Sequence, residues 1–285
     1  MSDIYSKRGY LREDFRLFHL RDEGGPAVEY HYHEFYKLVL LISGSGAYII
    51  EGRRYLLQPG DIILVGRGSV HRPEIGEAGA YERVILYLSP ALLSGIAADD
   101  CRIEEIFSAD GGRVIRPEES EQSTAPSLLA EIEAELAGAK PGSEEMSRCI
   151  LRQLLIRLYR ICCSRSAPQL MCAENSDRKV IEVLSYLNDH ICDELSIDEL
   201  AEHFYISKFH MMRRFRAETG STIHAYITDK RLFLAKDLMR NGMSATEACY
   251  QCGFKSYSSF SRAYQKRFGS SPTGREKIQN DAIIE

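Results

Sequence analysis

The apolar positions change their spacing once along the chain, near Ser89. Before it they come in short runs punctuated by Gly and Pro. Phe35–Ser43 reads as a buried strand and Gly44-Ser45-Gly46 as a turn. Ala47–Ile50, Arg53–Leu57, Ile62–Val65 and Glu82–Leu88 follow, separated by Glu51-Gly52 and Gln58-Pro59-Gly60-Asp61. Short strands at this spacing predict a sandwich or barrel. After Ser89 the period becomes helical. Leu128, Leu129, Ile132 and Leu136 recur at helical spacing, as do Met146, Ile150, Leu154, Ile156, Leu158 and Ile161. The second set predicts one long amphipathic helix over 143–163. Residues 164–176 have loop composition and read as a linker. Beyond Asp177 everything to about Phe268 is helical. The reading is a multidomain α and β chain: a β-barrel over 1–95, a helical segment over 96–163, the linker, and an all-α domain over 177–285.

A length of 285 residues fits two domains with real cores. The stretch Leu38–Ile50 is the most apolar, but Ser43–Gly46 interrupt it, so it predicts no membrane span. Met1–Arg12 is polar and predicts no signal peptide. The eight cysteines show no framework spacing, which points to a reducing, cytoplasmic setting. The net charge of −5 argues against a nucleic-acid binder only as an average. Residues 177–202 carry 2 basic and 8 acidic side chains, residues 207–240 carry 8 and 3, and residues 255–277 carry 6 and 1. For DNA, the local face decides.

The two basic segments repeat each other. Ser207, Met211, Arg213, Phe215 and Gly220 recur as Ser256, Phe260, Arg262, Tyr264 and Gly269, at an offset of 49. Upstream, Ser196, Glu199, Leu200 and Ala201 match Ser244, Glu247, Ala248 and Cys249 at an offset of 48. One extra residue at a turn is what two paralogous helix-turn-helix units would show. In the first unit a short helix Ile197–His203, with Asp198 and Glu199 in its positive first turn, leads through Phe204-Tyr205-Ile206 to a second helix capped by Ser207. Met211 and Phe215 face inward there; Phe209, Met212, Arg213 and Arg216 share the other face. In the second unit Phe260, Tyr264 and Phe268 face inward, and Ser258, Ser261, Arg262 and Gln265 outward. Gly220 and Gly269 suit the position that ends a helix.

These motifs, with R-L-x-x-A-K-x-L-M at Arg231–Met239 and G-F-x-S-Y-S-S-F-S-R-A-Y-x-K-x-F-G-x-S-P at Gly253–Pro272, resemble the AraC/XylS family of transcription regulators over about residues 178–275. The chain departs from the family pattern at Ala248-Cys249, Tyr264 and Gly274. The resemblance implies a long helix near Ile223–Arg240 joining two units that enter successive major-groove segments, about 34 Å apart. It places Phe209, Met212, Arg213, Tyr257, Ser258, Ser261 and Arg262 at the bases. Arginine can fork onto guanine, while Met212 offers an apolar contact suited to a thymine methyl. Lys208, Arg214, Arg216, Lys255 and Lys266 become phosphate contacts, which position without specifying. A homodimer on a doubled site, RNA polymerase as a further partner and activation of carbohydrate or other metabolic genes fit the same family. It implies a regulator, not an enzyme.

The first half resembles the family's effector domain, a cupin-type barrel, through His31-Tyr-His33, the G-S-G turn, Pro59-Gly60-Asp61 and His71. The effector pocket expected from this is lined by His31, His33, Lys37 and His71, with Arg83 contributing, and suits a sugar or an anionic metabolite. Metal-binding cupins add a glutamate where this chain has Lys37. An ammonium there loses a ligand and repels a dication, so the expectation is no metal and no cofactor. Two rivals follow: a cupin-type metal enzyme with a helical appendage, which needs an intact metal set, and a helical adaptor that never touches DNA. Cys249-x-x-Cys252 reads as buried structure rather than as a metal or redox motif.

Overall fold

The computed structural model describes residues 6–7, 11, 13–23, 28–76, 80–96, 101–108, 112–118, 121–138, 140–163, 177–240 and 242–274. The expected linker over 164–176 lies outside them. The chain divides into two compact units whose main parts are Tyr10–Ser176 and Asp177–Glu285.

The described strands form two sheets, and all their assigned pairings are antiparallel. One sheet has the order β1(Ser6–Lys7), β3(His31–Tyr32), β8(His71–Ile75), β5(Gly46–Ile50), β6(Arg53–Leu57). The other runs β10(Gly112–Ile115), β7(Ile62–Val65), β4(Tyr36–Ser43), β9(Ala80–Leu88), β2(Phe15–Glu23). A first core fills the interior with Phe35, Val39, Leu41, Tyr48, Ile63, Tyr81, Ile85 and Tyr87. A second lies on the outer face of the β4 sheet. There Leu38, Leu40, Leu64 and Leu86 meet α1(Pro90–Ser94), α2(Glu105–Ser108), α3(Thr124–Gly138) and α4(Ser143–Cys163). Strand β4 is apolar without a break from Leu38 to Ile42 because both its faces are covered.

Helix α4 spans the residues its periodicity predicts. Ile150, Leu151, Leu154, Leu155 and Leu158 face the core, but Met146 and, on α3, Leu136 are exposed. The region 96–163 is not wholly helical, which corrects the expectation. Gly112–Ile115 is a strand paired with β7, sending Val114 inward and Ile115 into the outer core. Four residues are too few to show a period. Gly112 adopts φ +153°, and a Cβ there would stand 2.4 Å from the Leu64 carbonyl oxygen. Strand β2 escapes the sequence reading because charges interrupt FRLFHLRDE.

The second unit is all-α: α5(Arg178–Asp189), α6(Ile197–His203), α7(Lys208–Thr219), α8(Ile223–Arg240), α9(Ala245–Gln251) and α10(Tyr257–Phe268). It has two apolar clusters. Leu184, Leu200, Met211, Phe215 and Tyr226 centre the first, and Leu232, Ala248, Cys252, Phe260 and Tyr264 the second. Helix α8 contributes to both, Tyr226 to one and Leu232 to the other. Among the described residues, no helix is long and apolar enough to cross a membrane.

Candidate nucleic-acid interface and barrel site

The repeat is visible in the backbone as well as in the letters. Ser207 accepts a hydrogen bond from the His210 N–H, and Ser256 from the Ser259 N–H. Such caps are worth about 1 kcal/mol each. Both second helices close on a left-handed glycine, Gly220 at φ +69° and Gly269 at φ +73°. The turns match too. Tyr205 at φ +54° and Gly253 at φ +83° are equivalent, 48 residues apart. The Ile206 N–H donates to the Ala201 carbonyl and the Phe254 N–H to the Cys249 carbonyl, again 48 apart. The caps are 49 apart, so the inserted residue of the second unit is Lys255.

Helices α7 and α10 split into inner and outer faces. Met211 and Phe215 are buried, as are Phe260 and Tyr264. Phe209, Met212, Arg213 and Arg216 are exposed, Phe209 to 72 %. Phe209 and Met212 thus put apolar surface next to Arg213 and Arg216 on one open helix face. On α10 Ser258, Arg262 and Gln265 are exposed, with Tyr257 and Ser261 half-buried. Arg262 Nε donates back to the Ser258 carbonyl at 3.3 Å.

The expected phosphate-contacting residues differ among themselves. Arg214 is half-buried and forks onto Asp177, the residue that caps α5, at 2.5 Å through both Nε and Nη2. It ties α7 to α5. Lys208 pairs with Asp198 at 2.8 Å and Lys255 with Glu194. Both pairs are on the surface, where such contacts are weak and exchange readily for another anion. Arg216 and Lys266 are exposed.

A residue whose role spacing could not show is Arg231 of α8. Its guanidinium donates to the carbonyls of Ile191 at 2.7 Å, Asp193 at 2.6 Å and Gly253 at 2.7 Å. The first two follow α5 and the third is the turn of the second unit. One side chain thus bolts the segment before the first unit to the turn of the second. Gly253 must be glycine, because a Cβ would lie 2.4 Å from the Cys192 carbonyl oxygen and 3.1 Å from the Arg231 guanidinium carbon. Tyr226 Oη donates to Asn188 at 3.0 Å, and Arg267 of α10 pairs with Asp229 of α8 at 2.7 Å.

In the barrel, His31, His33 and His71 come together. His31 and His71 are directly opposite in the β3–β8 pair. Their ring centroids are 4.4 Å apart, and His33 lies 5.1 Å from His31 and 4.9 Å from His71. Lys37, 2 % exposed, holds its ammonium 6.0 Å from the centre of the Tyr87 ring, which is 5.6 Å from that of His33. The chain crosses from one sheet to the other between Tyr32 and Tyr36. Strand alternation therefore does not carry from His33 to Lys37; both lie near the Tyr87 ring in the barrel interior. Arg83 is set apart, four residues along β9 from Tyr87, or roughly 13 Å of strand. It pairs with Asp22 at 2.6 Å and lies over the Tyr81 ring at 5.0 Å. Burial pushes the Tyr81 hydroxyl above its ordinary pKa, against the pull of Arg83 and Lys37.

Cys249 and Cys252 are fully buried in the second cluster of the helical unit. Burial pushes the Cys252 thiol up to about 12, far from thiolate chemistry.

A family model described as an AraC-like ligand binding domain matches residues 18–155, and one described as a helix-turn-helix domain matches residues 200–275. The chain is 26% identical over 243 residues to the HTH-type transcriptional activator RhaS of Escherichia coli, with 85% of each chain covered. The RhaS of Shigella sonnei matches with the same identity and coverage. Among solved structures, ToxT of Vibrio cholerae with a bound unsaturated fatty acid is similar at a TM-score of 0.38 and 12% identity, covering 92% of this chain and 96% of that one. The DNA-binding domain of AdpA in complex with a target DNA is similar at a TM-score of 0.31 and 29% identity, covering 32% of this chain and 83% of that one.

Proposed function

The chain belongs to the AraC/XylS family of transcription regulators, and from that premise we propose how it reads DNA and what its barrel senses. It is a DNA-binding regulator with an effector-binding domain ahead of two helix-turn-helix units. Helices α7 and α10 each enter a major groove, on one face of the duplex and about one turn apart. Arg213 and Arg262 fork onto guanines, each worth about 1–3 kcal/mol of discrimination. Phe209 and Met212 make apolar contact with base edges, and Tyr257, Ser258 and Ser261 complete the second footprint. Lys208, Arg216, Lys255 and Lys266 take phosphates, the two paired lysines exchanging a surface carboxylate for a phosphate. Arg214 is left out of that set, because its fork is already filled by Asp177.

The observation that carries this reading is the repeated frame. Cap, buried pair, exposed arginine and left-handed glycine recur at one offset, and Arg213 and Arg262 are exposed in both copies.

The barrel is a receptor rather than an enzyme in this reading. Its effector is a sugar or an anionic metabolite met by His31, His33, Lys37 and His71, and Arg83 lies too far along β9 to join them directly. Binding shifts populations between states that differ in DNA engagement. The region 96–163 carries a homodimer contact, to which the exposed Leu136 and Met146 belong. The chain activates genes of carbohydrate or related metabolism together with RNA polymerase, and works in the cytoplasm.

The test is selection of bound fragments from sheared genomic DNA, with Arg213→Ala/Arg262→Ala as the control. The expected result is two recurring sequence blocks about one turn apart, absent with the control, and affinity falling steeply with salt. Enrichment that is the same with both proteins would sink the assignment of the arginines. No enrichment at all would favour the adaptor reading.

A further inference from the structure

The three barrel histidines are arranged as a ligand set. None is more than 1 % exposed, and the nitrogens each could offer lie within 4.8 Å of one another. The hydrogen bonds fix which nitrogens those are. His31 Nδ1 lies 2.8 Å from the Glu29 carbonyl oxygen, and His71 Nδ1 lies 2.8 Å from the Ser69 carbonyl oxygen. A carbonyl can only accept, so each Nδ1 carries a proton. In the neutral rings the lone pair is then on Nε2. A backbone carbonyl on one ring nitrogen, holding the other toward a common centre, is the outer shell that metal-binding histidines show. His33 packs against both rings and brings the third donor.

We propose that His31, His33 and His71 hold one divalent transition-metal ion through their ring nitrogens, leaving coordination positions open inside the barrel. Neutral imidazoles suit zinc, copper, iron and nickel rather than magnesium or calcium. Three nitrogens about 2.0–2.1 Å from one ion in tetrahedral geometry would sit roughly 1.5 Å closer together than the present outer limit of 4.8 Å, a gap for ring rotations and a small strand adjustment to close.

Lys37, which replaces the expected fourth carboxylate, then has a different meaning. It leaves the ion with three uncharged ligands and an ammonium in the same barrel interior, so an anionic donor is favoured both by the ion and by the lysine. The preferred effector class is a small molecule with a carboxylate or similar anion that ligates the metal. This last step rests on the effector reading of the barrel; the metal site does not.

The test is titration of the metal-stripped full-length protein with cobalt(II), followed by the visible d–d absorption of the bound ion. One equivalent should bind without a thiolate-to-cobalt charge-transfer band. His71→Gln and His33→Gln should each weaken binding by more than about tenfold, the scale on which even outer-shell partners act. Circular dichroism checks that both variants fold. Lys37→Glu, which restores an anionic ligand at the fourth position, should tighten binding by at least a similar factor. No saturable binding, binding untouched by both histidine variants, or a thiolate band would each overturn the site. If cobalt binds as expected but carboxylate compounds leave its spectrum unchanged, the metal site stands and the anionic effector class falls.

Discussion

In the barrel the groups expected to meet an effector are inside: His31, His33, Lys37 and His71 are all at most 2 % exposed. In the helical unit the arrangement is reversed. Met211, Phe215, Phe260 and Tyr264 fill the interior, and Arg213, Arg216 and Arg262 stand in water. The difference follows from the size of what each half meets. A long duplex cannot be enclosed by a domain of this size and must be met on a surface, where charge costs little and long-range attraction helps. A small molecule has to be enclosed, so the polar groups that hold it must be buried, at a cost in folding that only a purpose justifies. The helical unit can therefore separate stability from recognition residue by residue, and the barrel cannot.

The sharpest way to break this comparison is on α7, where Phe215 and Arg213 lie two residues apart on opposite faces. Phe215→Ala should destabilise the helical unit by about 3–5 kcal/mol in urea unfolding. Arg213→Ala should leave stability within about 0.5 kcal/mol while relaxing sequence preference at one base position. Equal losses of stability would show that the outer face is also structural.

A smaller effect separates the two turns. Gly253→Ala meets both a left-handed backbone and the Cys192 carbonyl, and should cost about 1–3 kcal/mol or more. Tyr205→Gly at the equivalent turn releases backbone strain and loses chain entropy, so its net change should be under about 1 kcal/mol. Thermal unfolding of the two variants side by side decides it, and a tolerated Gly253→Ala would remove the reason given for that glycine.

The smallest effect is on the barrel's outside. Burial alone would lower the His19 pKa, but hydrogen bonds to Glu82 of β9 and Glu133 of α3 together raise it above 6.5. A raised value means the charged ring stabilises the fold fully below its unfolded pKa and loses that effect as pH rises through the folded one. His19→Gln should therefore lower Tm at about pH 5.5 and match the parent by about pH 8.5. A deficit independent of pH would make His19 a packing residue instead.

The face of α7 was legible because its chemistry is periodic. Ser207, Met211, Phe215 and Gly220 are spaced by the helix itself, so the exposed set follows from counting. The histidine cluster was legible as a list, since His31 and His33 flank one position and His71 follows the strand after Pro59-Gly60-Asp61. Its geometry was not, because the chain changes sheet before Lys37. Arg83 looked like a pocket residue and is held by Asp22; Arg214 looked like a phosphate contact and is held by Asp177. Nothing local marks either partner, 61 and 37 residues away.

Taken by itself, the sequence determined the α7 and α10 faces, the α4 span, five strands of the barrel and the single residue inserted within the second of two copied units. Each of these is written in spacing along one element, where backbone geometry converts order into direction. Only the tertiary structure decided that Gly112–Ile115 joins the β4 sheet, that Arg231 ties the approach to the first unit to the turn of the second, and that His31 and His71 stand opposite with their Nδ1 protons fixed by carbonyls. Those depend on which distant segments pack together, and a hydrogen bond between residues 40 apart leaves no period in the chain that makes it.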